Sequence, residues 1–142
     1  VVDNLTANIH ELVFAMDSYA GRLLLRYGMD YSKFAFLSPL LTAPLDVTRL
    51  AEALNFSKAA VSKRVPTLER EGWIRTTEDL RVGRRVLISL TDGGRDQVAG
   101  AAGELNRRFA AVLAQLEIDV DGFSTQVQTL LAAVRELRDE DW

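Results

Sequence analysis

The sequence predicts a mostly helical α+β chain, with long helices at both ends around a small mixed middle. Three observations carry this. Apolar residues recur at helical spacing from Leu5 to Tyr27 and again beyond Asp92. Residues 45–71 hold two short helical patterns separated only by Asn55 and Phe56. Residues 73–90 switch to two β-rich runs on either side of a basic, glycine-containing loop.

The first helix is expected over Leu5–Tyr27, striped by Leu5, Ile9, Leu12, Val13, Met16, Ala20, Leu23, Leu24 and Tyr27, with Gly28 as its stop. A second runs from Asp30, its cap, to about Leu41. Tyr31, Phe34, Phe36, Leu37, Leu40 and Leu41 make it apolar nearly all round, as in a buried helix. Thr42-Ala43-Pro44 is the loop that follows.

Asp46 can cap a third helix by accepting from the free amides of its first turn. Val47, Leu50, Ala51 and Leu54 fall on one face, and Asn55 suits the left-handed conformation that ends many helices. Ser57 caps a fourth helix, which runs to about Glu71 and stops at Gly72. Two helices joined by so short a turn must cross steeply, and the small Ala51 suits a close crossing. In the fourth helix Val61, Val65 and Leu68 form the inner side. Ala59, Ser62, Lys63, Pro66 and Arg70 lie opposite, with Lys58, Arg64 and Thr67 on the flanks. The outer side carries no carboxylate before Glu69, which suits a polyanion better than plain solvent. Pro66 sits inside this helix, where it removes one amide donor at a cost of roughly 3 kcal/mol or a kink.

Trp73–Thr77 and Arg85–Leu90 read as a two-stranded ribbon, with Glu78–Arg84 as its tip. Thr91 caps a long helix from Asp92 to about Leu116. Gly93 and Gly94 at its start imply a close approach that leaves no room for a side chain. A turn over Ile118–Gly122 leads to a last helix from Phe123 to about residue 138, striped by Val127, Leu130, Leu131, Val134 and Leu137. Helix, turn, helix and ribbon together outline a winged helix-turn-helix.

Charge is segregated. From Ser57 to Arg85 there are eight Lys or Arg and four Asp or Glu, giving +4 in a chain of 142 residues whose net charge is −3. The remainder therefore carries −7. Local basicity of this kind is the electrostatic mark of nucleic-acid binding. The acidic remainder can lie beyond a Debye length of about 8–10 Å from the duplex.

Ser57-Lys58-Ala59-Ala60-Val61-Ser62-Lys63-Arg64-Val65, Leu68-Glu69, Gly72-Trp73-Ile74 and Arg84-Arg85-Val86-Leu87-Ile88-Ser89-Leu90-Thr91-Asp92-Gly93-Gly94 resemble the MarR family of bacterial transcription regulators. The resemblance extends from about residue 5 to 138. It implies a DNA-binding lobe over residues 30–91 and a helical dimerisation lobe built from residues 1–29 and 92–142. It also implies a homodimer that binds an inverted-repeat operator on double-stranded DNA, most often as a repressor, and a pocket between the lobes, often for aromatic or phenolic effectors. Tyr27, Tyr31, Phe34 and Trp73 are the aromatics that could serve such a pocket or simply the core.

The candidate DNA-binding residues are Ser57, Lys58, Ala59, Ala60, Ser62, Lys63, Arg64 and Thr67 in the fourth helix, with Arg81, Arg84 and Arg85 in the wing. Lys63 and Arg64 suit guanine edges or phosphate. Ser57, Ser62 and Thr67 can hydrogen-bond either, and Ala59 and Ala60 allow close approach or contact with a thymine methyl. Lys58 suits a phosphate. Relatives place a wing arginine in the minor groove, held by an aspartate two residues earlier. Offset from the second strand favours Arg84, but the aspartate position is then Val82. Asp79-Leu80-Arg81 has the required spacing three residues earlier.

Composition removes other classes. Without cysteine there is no disulfide framework, thiolate metal site or thiol redox sensor. A single histidine, His10, provides no metal set and no Ser/His/Asp arrangement, and there is no Gly-rich phosphate loop. No enzyme activity, cofactor or metal is expected. No apolar run approaches a membrane span and no secretory pattern opens the sequence, so a soluble cytoplasmic protein is the expectation. The competing reading is a winged helix that binds protein rather than DNA. The acid-free face argues against it, since a protein-binding groove more often shows exposed apolar anchors.

Overall fold

The computed structural model describes residues 2–79, 81, 83 and 85–137. They form α1 (Leu5–Leu24), α2 (Tyr31–Leu37), β1 (Leu45–Asp46), α3 (Val47–Leu54), α4 (Lys58–Arg70), β2 (Ile74–Asp79), β3 (Arg85–Leu90), α5 (Asp92–Gln115) and α6 (Val120–Glu136), with 3-10 turns at Val2–Asn4, Leu25–Tyr27 and Ser38–Leu41. The chain divides into two compact units, residues 1–103 and 104–142, and the division falls within α5.

The local signals account for most boundaries in the first unit. Gly28 ends the first helix in the left-handed region, at φ +74°. Asp30 caps α2 by accepting from the Lys33 amide at 2.7 Å. The expected single helix to Leu41 instead tightens into a 3-10 turn at Ser38, because Pro39 lacks the amide that an α-helical turn requires there. Asp46 caps α3 through the Arg49 amide at 2.8 Å, and Asn55 ends it at φ +55°. Ser57 caps α4 through the Ala60 amide at 3.1 Å.

The expected two-stranded ribbon is a three-stranded antiparallel sheet in the order β1-β3-β2. The added strand is two residues long, too short to show any period. Leu45 pairs with Ile88 and Asp46 with Leu87, while Ile74 to Asp79 pair with Leu90 to Arg85. The wing's first strand thus runs two residues further than Thr77.

Leu24, Phe36, Leu37, Leu40, Leu50, Val61, Ile74, Ile88 and Val98 are fully buried and form the centre of the first unit. Burial of such side chains contributes roughly 1.5–3 kcal/mol each. Thr91 caps α5 through the Gly94 amide at 2.9 Å, while its hydroxyl also reaches the Gly72 carbonyl at 2.6 Å. A Cβ on Gly94 would overlap the Trp73 carbonyl oxygen, so the close approach is real at this position. Nothing lies near a Cβ on Gly93, and the same reason does not apply there.

In the second unit α6 begins at Val120, not Phe123. Asp119 caps it through the Gly122 amide at 3.1 Å, so the expected turn over Ile118–Gly122 is already its first turn. It ends at Glu136, where Leu137 turns extended, two residues before the expected end near residue 138. Phe123, Val127, Leu130, Leu131 and Val134 stripe this helix, yet no residue of α6 is buried. In the first unit, Leu5, Ile9, Leu12, Val13 and Met16 are likewise exposed along α1. Among the described residues no helix is long and apolar enough to cross a membrane.

Candidate nucleic-acid interface

Helix α4 presents the expected two sides. Val61 and Leu68 are buried and Val65 is half-buried, which seats the helix. Lys58, Ala59, Ala60, Ser62, Lys63, Pro66, Thr67 and Arg70 are exposed. Ser57 is also exposed, though its hydroxyl is occupied in capping. Lys58 and Lys63 enter no ion pair among the described residues, so their ammonium groups remain available to an anion. Pro66 lies on the exposed side, and α4 continues through it to Arg70.

The acids at the end of this helix are engaged by groups of other elements. The Glu69 carboxylate accepts from the Thr76 amide at 2.9 Å and hydroxyl at 2.8 Å, tying α4 to β2. Glu71 pairs with Lys33 of α2 at 2.9 Å. The hydrogen bond and charge of Lys33 hold the Glu71 carboxyl below its usual range. Lys33 also lies over the Trp73 ring, 5.3 Å from its centre.

Arg64 is placed differently from its neighbours. Its guanidinium donates to the Ser32 hydroxyl at 3.2 Å and sits 4.7 Å from the centre of the Phe36 ring. It is half-buried against α2 rather than projected outward with Lys63. A cleft of about 350 Å³ between α2 and α4 is lined by Lys33, Lys63, Arg64, Thr67, Leu68 and Glu71.

In the wing, Arg81 is almost fully exposed, and both its backbone amide (3.1 Å) and its Nε (3.4 Å) meet Oδ1 of Asp79. The sequence spacing Asp-x-Arg is therefore a physical contact. The Asp79 carboxyl is held below its usual range, first by the Arg81 amide and then by Arg85. Arg84, the wing cation preferred on strand offset, lies outside the described residues. Arg85 turns inward: its Nη2 donates to Asp79 at 3.2 Å, and its Nη1 lies 3.6 Å from Asp46.

Sequence reasoning took Asp46 as a helix cap and did not see its second role beside Arg85. For Asp79, though not for Asp46, the signal was present in the register. A ribbon extended two residues past Thr77 sets Asp79 opposite Arg85, and residues opposite one another on a sheet face interact directly. The four aromatics considered for an effector pocket hold separate posts. Tyr27 packs on Gly100 of α5, and Trp73 sits by Gly28 and Lys33. Tyr31 is raised in pKa by partial burial and by Asp17, and Phe34 is half-buried.

A capped recognition helix crossing a short first helix, followed by a basic hairpin, defines a winged helix-turn-helix protein. Residues 27–85 match the MarR family model, and this part of the chain, holding the helix-turn-helix and the start of the wing, is of the MarR family. An uncharacterized HTH-type transcriptional regulator of Bacillus subtilis (strain 168), YwaE, is 25% identical over 120 residues, covering 84% of this chain and 68% of its own. The crystal structure of NadR in complex with 4-hydroxyphenylacetate superposes with a TM-score of 0.79 at 17% identity, covering 94% of each chain. That of the Staphylococcus aureus MepR–DNA complex does so with a TM-score of 0.73 at 19% identity, covering 93% of this chain and 97% of its own. At these identities the two structures establish the fold, which is that of MarR-family transcription regulators.

Proposed function

We propose that this protein is a sequence-specific transcription regulator, a repressor that binds an inverted-repeat operator as a homodimer. The observation that carries the reading is the exposed face of α4. Lys58, Ser62, Lys63 and Thr67 lie there with small Ala59 and Ala60, while Glu69 and Glu71 are engaged by Thr76 and Lys33. A helix of this kind enters a major groove with Lys63 toward base edges and Lys58 toward phosphate. The wing adds Arg81, whose exposure and attachment to Asp79 favour it as the minor-groove residue. Arg64 supports the helix from the α2 side.

The dimer rests on the exposed stripes. Leu12 is 52% exposed, Leu130 55% and Val134 52%, too much apolar surface to leave in water along two helices. A two-fold dimer sets its recognition helices into successive major grooves, with half-sites about 10 bp apart. Release by a small aromatic ligand is supported by the NadR structure alone, which holds 4-hydroxyphenylacetate.

The test is DNA affinity as a function of salt. Counterion release from phosphates requires log affinity to fall steeply and linearly with log salt. A flat profile would instead favour a protein-binding winged helix.

A further inference from the structure

Arg85 stands where three elements meet. It lies directly opposite Asp79 across β2 and β3. Asp46 of β1 lies opposite Leu87, two residues along β3 from Arg85. Since side chains alternate between faces, Arg85 and Leu87 share one face of the sheet, and Asp79 and Asp46 share it with them. The guanidinium is thus placed between two carboxylates, at 3.2 Å from Asp79 and 3.6 Å from Asp46. Both carboxylates are little exposed, at 8% and 17%. The Arg85 Nε is buried, with no acceptor among the described residues. The Arg85 side chain is 32% exposed, but the two carboxylates beside it already offset its charge and leave it less to offer a phosphate.

Each carboxylate has a second duty. Oδ1 of Asp79 holds the backbone and side chain of Arg81 at the wing. Oδ1 of Asp46 caps α3, the first helix of the helix-turn-helix. The charges therefore run in sequence from the wing cation to the start of α3: Arg81, Asp79, Arg85, Asp46.

We propose that Arg85 is a positioning residue for DNA recognition, a clamp that fixes the Arg81-bearing wing to the helix-turn-helix through Asp79 and Asp46. The inference rests on the reading that DNA is the partner. The planar fork of arginine sets two separate nitrogens against the two carboxylates, whereas a lysine would have to meet both from a single nitrogen on a flexible stem.

The experiment uses the full chain and a duplex selected by it from a random pool. Affinities are measured for the unmutated protein, Arg81→Ala, Arg85→Ala, the Arg81→Ala/Arg85→Ala double variant, Arg85→Lys and Asp79→Asn, with thermal melts alongside. Loss of the wing contact costs roughly tenfold in affinity. A clamp acting through Arg81 predicts the same loss in Arg85→Ala, no further loss in the double variant, and no rescue by Arg85→Lys. Asp79→Asn, which preserves shape, shows the same loss if Arg85→Ala folds poorly. Multiplying losses in the double variant, or full rescue by lysine, would mean a direct phosphate contact and overturn the clamp. An Arg85→Ala protein that binds like the unmutated one also overturns it. Failure of the unmutated protein to select any duplex removes the DNA reading itself, and the clamp with it.

Discussion

At the scale of single residues, the predictions are of three kinds. Lys63 is exposed on the outer face of α4 and free of ion pairs among the described residues, so Lys63→Ala should weaken DNA binding by about 1–3 kcal/mol without lowering the melting temperature. Equal affinity at low and moderate salt would remove Lys63 from the interface. Gly94 has the Trp73 carbonyl oxygen where a Cβ would go. Gly94→Ala should therefore destabilise the fold by roughly 1–3 kcal/mol, read from denaturant midpoints, because overpacking forces the backbone to shift. Gly93→Ala, with open space around it, is the matched control and should be neutral or stabilising. The third concerns pH. The folded pKa of Asp79 is lowered by the Arg81 amide and Arg85, and that of Glu71 by Lys33. A carboxylate lowered in this way contributes stability above its unfolded pKa, near 4, and that contribution is lost as pH falls through the folded value. Melting temperature should be flat near neutrality and drop below about pH 4–5. Asp79→Asn should show a shallower acid limb; an identical limb would mean that Asp79 contributes nothing.

At the scale of elements, α4 contains Pro66 and is nonetheless continuous from Lys58 to Arg70. The proline leaves the Ser62 carbonyl without its helical donor, and that carbonyl belongs to an exposed turn that water can reach. Pro66→Ala restores the amide, so it should raise stability by up to about 3 kcal/mol; a lower melting temperature would contradict this. Elements with caps and stops were legible because each signal is one side chain acting on its own helix: Asp30, Asp46, Ser57 and Thr91 all cap as the sequence implies. β1 was not, since two residues carry no period and exist as a strand only through pairing with β3. The start of α6 was missed for a related reason. Gly122 resembles a turn residue, whereas Asp119 three positions earlier is the cap that decides. The site was legible in composition but not in direction. The cations were visible as a cluster, yet Arg64 and Arg85 turn inward because Ser32, Phe36, Asp46 and Asp79, all distant in sequence, draw them there.

For the whole molecule, two helical stripes remain uncovered and one basic surface faces outward. On the proposed dimer a second copy covers the exposed leucines of α1 and α6, and Leu130→Glu should then shift the protein to monomers in sedimentation. Monomers should also lose most operator affinity, because the second half-site no longer binds within the same complex. The measurement that tests the account most directly is selection of duplexes from a random DNA pool at moderate salt. The unmutated protein is run beside a Lys63→Ala/Arg81→Ala double variant. The account predicts enrichment of an inverted repeat, with half-sites about 10 bp apart, by the unmutated protein alone. No enrichment, or the same sequences recovered by both proteins, would contradict it.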